Sequence, residues 1–92
     1  MPHIEKDLVV SNKKGLHARP AALLVQLVER YGSKVTIIRG EEKVDGKSIM
    51  GLLMLGAQHQ MPLKVVIEGE DAPQVMTAIE HFFSKQEEEL ML

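Results

Sequence analysis

Leu63, Val65 and Ile67 alternate with Lys64 and Glu68, a period of two that makes a strand apolar on one side and polar on the other. The remaining apolar periods supply material to cover the dry side. From Pro20 onward Leu24, Leu27, Val28 and Tyr31 recur at i, i+3, i+4 and i+7, and Val75, Ile79, Phe82 and Phe83 form a second such stripe, so each reads as an amphipathic helix. Gly32 is suited to stop the first. Asp71, with Gln74 three residues on, resembles a capping box for the second, and Glu87-Glu88-Glu89 is expected to fray into solvent. Ile4, Leu8 and Val10 mark a first strand, although Lys6 falls on the same side and spoils the alternation. Val35, Ile37 and Val44 bracket Gly40-Glu41-Glu42, two antiparallel strands joined by a charged turn. Asp45-Gly46-Lys47 closes this hairpin, and Ser48 is placed as an N-cap ahead of Ile49-Met50-Gly51-Leu52-Leu53-Met54-Leu55. Gly56 to Met61 then forms a loop. The order is βαββαβα, and the helices can cover only one face of the sheet. The expected fold is therefore α+β, an open-faced sandwich of a four-stranded antiparallel sheet with three helices on one face. With 92 residues, the chain makes one domain over 1–92.

The helix after Ser48 is apolar almost all round. Leu52 and Leu55 can serve a core at i and i+3, which leaves Ile49, Met50 and Leu53 as candidates for an exposed patch. Methionine in such a patch adapts to more than one partner. A buried helix with methionines filling gaps is the competing reading of the same pattern.

Gly15-Leu16-His17-Ala18-Arg19-Pro20-Ala21-Ala22 joins a polar loop, Ser11 to Gly15, to the first helix. Pro20 fits a first helical turn, where its missing N–H and fixed φ cost little, so His17 is expected just outside the helix N-terminus. The first N–H groups there have no internal partner and the dipole favours negative charge. A phosphate near His17 would meet those amides, with Arg19 adding fork-like donors. Imidazole titrates near physiological pH and is a competent nucleophile, so a covalent phosphohistidine is one chemistry this pattern allows. A solvated arginine beside a packing histidine is another. Ala21, Ala22 and Leu23 lie in the first turn, where small side chains let a second protein approach.

Composition removes several classes. There is no cysteine, which excludes a disulfide framework and a thiolate zinc site. His3, His59 and His81 have no mutual spacing that suggests a metal, and neither metal nor organic cofactor is expected. The formal net charge of −2 gives no global attraction to nucleic acid or an anionic membrane. Stacking bases on a sheet needs aromatics, and Tyr31, Phe82 and Phe83 all fall in helical stripes. The start of the chain lacks a signal-peptide pattern and no apolar run reaches the roughly 20 residues of a span. We expect a cytoplasmic monomer with no membrane insertion.

The octet closely resembles the active-site signature of the HPr family, phosphocarriers of the bacterial phosphoenolpyruvate-dependent phosphotransferase system. Lys47-Ser48-Ile49-Met50-Gly51 resembles that family's regulatory-serine segment, and the likeness runs from about Ile4 to Phe83. It implies the fold already read from the periods. It also implies that His17 is the phosphorylated residue, Arg19 the phosphate-stabilising one and Ala18 the donor of a backbone N–H to the phosphate. Ser48 would be the residue modified by HPr kinase/phosphorylase where that enzyme exists. The resemblance makes Ala22, Leu23, Ile49, Met50 and Leu53 a docking surface, with enzyme I and IIA domains as partners, and makes the chain a stoichiometric carrier, not an enzyme. Lys14 stands where many members have a small polar residue, and Glu29 where some are basic. A small hydrolase of phosphate esters or acyl phosphates, using Arg19 as anion clamp, is the alternative from another class.

Overall fold

The one-sided strand lies in the middle of the sheet. In the computed structural model, which describes residues 2–10, 17–56 and 61–90 and side chains as far as Ser84, the elements are β1 (His3–Val9), α1 (Ala18–Val28), β2 (Lys34–Arg39), β3 (Glu42–Asp45), α2 (Ile49–Leu55), β4 (Pro62–Glu68) and α3 (Ala72–Leu90). The sheet order is β1-β4-β2-β3, and every pairing is antiparallel, with Lys6 opposite Val65, Val35 opposite Ile67 and Ile37 opposite Val44. Both helical connections, β1-α1-β2 and β3-α2-β4, therefore step over one strand. This is the expected α+β open-faced sandwich.

Leu63, Val65 and Ile67 are buried together with Val35 and Ile37 of β2. They meet Leu24 and Val28 of α1, Leu52 and Leu55 of α2, and Val75, Ile79 and Phe83 of α3 in a single core. Along the layer α1 lies in the middle, packed against α2 on one side and α3 on the other. The opposite face of the sheet is a broad hollow of about 530 Å³ whose lining includes Glu5, Lys34, Thr36, Lys43, Val66 and Glu68.

Three local expectations change. α1 starts at Ala18, which keeps Pro20 in its first turn and His17 just outside it as expected, but it ends at Val28 with Glu29 as C-cap, short of Tyr31 and Gly32. α3 runs on to Leu90, so its backbone takes in Glu87-Glu88-Glu89. Asp71 precedes α3, but its carboxylate turns to the loop after α1, accepting from the N–H groups of Gly32 (3.0 Å) and Ser33 (3.1 Å) and from the Ser33 hydroxyl. Gly69 allows this approach: a Cβ there would lie 2.8 Å from the Ser33 Cα, on a backbone with φ 150°. The fault at Lys6 has a physical reason too. Its ammonium leans over the helix-covered side and reaches both carboxylate oxygens of Glu80 on α3 at 3.0 Å.

Candidate functional site

His17 is the N-cap of α1, in extended backbone (φ −101°, ψ −169°), and its side chain makes no capping bond. Its carbonyl accepts the first helical bond, from the Ala21 N–H at 3.0 Å. Four N–H groups at a helix start lack intrahelical partners, those of the N-cap and the three residues after it. Pro20, in third place, has none to offer. Ala18 and Arg19 thus carry the helical amides available at this end, both residues are exposed, and the first turn holds no acidic side chain. An uncapped helix start with a positive dipole end suits an anion. The His17 side chain is half-buried, with Nε2 covered and without a hydrogen-bond partner among the described residues. Arg19 likewise has no ion-pair partner among them. Gly15 and Leu16 of the octet, and Lys14, lie outside the described residues.

The start of α2 is closed where that of α1 is open. Ser48 Oγ accepts from the Gly51 N–H at 3.0 Å, the expected N-cap. The Lys47 ammonium donates to the Tyr31 carbonyl just beyond α1 at 3.0 Å, tying the α2 entry to the α1 exit. Leu52 and Leu55 are fully buried, anchors worth about 1.5–3 kcal/mol each by transfer from water. Outward, Ile49 is 42%, Met50 67% and Met54 75% exposed, and Leu23 on α1 adds 39%. Leu53 does not stand free as the sequence suggests, since it is half-buried against the core. Ala22 is also half-buried. The outward place belongs to Met54, which the sequence reading missed although it stands four residues after Met50 and so on the same helix face.

Arg39 was also missed. From the end of β2 its Nη1 donates to the Leu55 carbonyl at 2.6 Å, and no local pattern announces a contact between a strand end and a helix end. Gly56 completes that terminus in the left-handed region (φ 64°), its N–H bonding to the Leu53 carbonyl.

Three further titratable groups have environments of their own. The Ser33 hydroxyl first, then the Gly32 and Ser33 amides, hold the Asp71 carboxyl below the usual aspartate range against the opposing effect of burial. His3 sits beside Glu5 (3.3 Å) and Glu68 (3.5 Å), and His81 is exposed on α3. His59 lies outside the described residues. Among the described residues no three His, Asp or Glu side chains gather as a metal site, and no helix is long and apolar enough to cross a membrane.

A family model described as "PTS HPr component phosphorylation site" matches residues 4–85. Among curated proteins, the chain is similar to the phosphocarrier protein HPr of Treponema pallidum, 41% identical over 86 residues that cover 94% of this chain and 98% of that one. Among solved structures, HPr-C-His from Thermoanaerobacter tengcongensis superposes with a TM-score of 0.87 at 35% identity, covering 90% of this chain and 93% of that one. An HPr dimer from the same organism gives 0.73 at 35% identity, covering 86% and 91%.

Proposed function

The chain belongs to the HPr family of phosphocarriers, and from that premise we propose that His17 accepts a phosphoryl group from phosphorylated enzyme I and passes it to a IIA domain of a bacterial phosphotransferase system. The observation that carries this reading is the N-cap histidine that leaves its helix uncapped. The unprotonated imidazole nitrogen attacks phosphorus, and the P–N bond forms as the bond to the donor breaks. That same P–N bond breaks when the acceptor takes the group. The covered position of Nε2 favours Nδ1 as the attacking atom. The N–H of Ala18 and the guanidinium of Arg19 stabilise the charge that develops on the phosphoryl oxygens. Nothing in the step requires a metal or organic cofactor from this chain.

Partners dock on Ala22, Leu23, Ile49, Met50 and Leu53, extended by Met54. One chain carries the whole site, so a monomer suffices, working in the cytoplasm where these partners meet it. Ser48 is the regulatory position for an HPr kinase/phosphorylase: a phosphate there keeps an acceptor oxygen at the start of α2 but sets negative charge beside the apolar patch. Loading with phosphoenolpyruvate and enzyme I should place one acid-labile phosphoryl group on each chain, retained until a IIA domain is added. Continuous release of inorganic phosphate without an acceptor contradicts the carrier and favours a hydrolase.

A further inference from the structure

At seven residues, α2 falls well below the roughly 12–15 residues at which an isolated helix becomes even marginally stable. It therefore depends on its packing and its ends. The N-terminal end is held by Ser48. The C-terminal end has carbonyls without intrahelical partners, and Arg39 supplies a charged donor to one of them, Leu55, at 2.6 Å. A cation there also matches the negative end of the helix dipole. Arg39 is half-buried and lies close over the terminus, 3.4 Å from where a Cβ on Gly56 would stand. The residue before Leu55 is Met54, the most exposed large apolar side chain among the described residues, and one turn back stands Met50.

We propose that Arg39 is a positioning residue for docking: by holding the Leu55 carbonyl it keeps the last turn of α2 wound, so that Met50 and Met54 are presented as one preformed surface. The inference rests on the reading of α2 as a docking surface. Among the described residues the guanidinium bonds to the main chain of α2 and to no group of the His17 site, so its effect falls on affinity and not on the phosphoryl step. Unwinding the last turn lowers the fraction of competent chains and raises the apparent dissociation constant in proportion.

The test is steady-state loading of the full chain by enzyme I and phosphoenolpyruvate, read as KM and kcat for the chain. Arg39→Met is expected to raise KM about three- to tenfold with kcat within about twofold. Arg39→Lys, which keeps a charged donor, should restore most of the loss. Amide exchange at Leu53 to Gly56 should quicken in R39M while β4 stays protected. Should R39M fail to fold, R39Q is read in the same way. A KM for R39M within about twofold of wild type, a loss confined to kcat, or an R39K no better than R39M overturns the role of Arg39. A parallel M50D variant separates the two readings. M50D at wild-type KM overturns the docking surface and this inference with it, whereas M50D raised with R39M unchanged overturns Arg39 alone.

Discussion

His17 and Ser48 occupy the same structural position, each the residue before a helix, and use it in opposite ways. A serine oxygen normally accepts from the second or third N–H of the helix, and Ser48 does so with Gly51. His17 makes no such bond, and Pro20 removes one of the donors that it could have served. Among the described residues nothing engages the amides of Ala18 and Arg19, which can serve an outside anion, whereas the amide of Gly51 is already engaged. Aspartate caps as well as serine and its charge suits a helix start, so Ser48→Asp should keep the fold within about 0.5 kcal/mol of wild type. Its carboxylate beside Ile49 and Met50 should nevertheless raise the KM for loading by enzyme I about tenfold, an effect of roughly 1.4 kcal/mol. Wild-type loading kinetics in S48D would remove the inhibitory role of charge at this position.

The elements were legible wherever one face of a period decided them, and illegible wherever a tertiary contact did. Leu63-Val65-Ile67 and Leu24-Leu27-Val28 announce β4 and α1 because each must bury a single side. Lys6 looks like a fault in β1 until Glu80 is placed across from it, and Leu53 looks free to face outward until the core packed against it is in place. Asp71 is the clearest case. Its spacing to Gln74 suggests a local cap, but the carboxylate instead joins the start of α3 to Gly32 and Ser33, 39 and 38 residues away. Its folded pKa lies below the ordinary aspartate value near 3.8, so its contribution is complete above that value and is lost as pH falls through the lower folded value. Thermal melts of wild type and Asp71→Asn should therefore differ most at neutral pH, with the wild type higher, and converge as pH drops below about 4. A gap that stays constant down to strongly acidic pH would show that the Asp71 charge contributes nothing to this tie.

At the scale of the whole molecule, the covered face of the sheet and the site are the same side. α1 lies between α2 and α3, so the uncapped start of α1 and the apolar outer side of α2 belong to one helical layer, while the polar side of the sheet faces away with Glu5, Lys34, Lys43 and Glu68. The octet was readable as an anion site from Pro20 and the helix that follows. That it serves a second protein depends on α2, whose buried side, Leu52 and Leu55, the spacing already marked, while its outward side was legible only in part, Leu53 turning inward and Met54 outward. The phosphohistidine is the centre of the account. Intact mass and peptide mapping after incubation with enzyme I and phosphoenolpyruvate measure it directly: wild type should gain a single acid-labile phosphoryl group on the peptide containing His17, and His17→Ala should gain none. Full labelling of the His17→Ala chain, or a phosphoryl group mapped to another residue of the wild type, would contradict it.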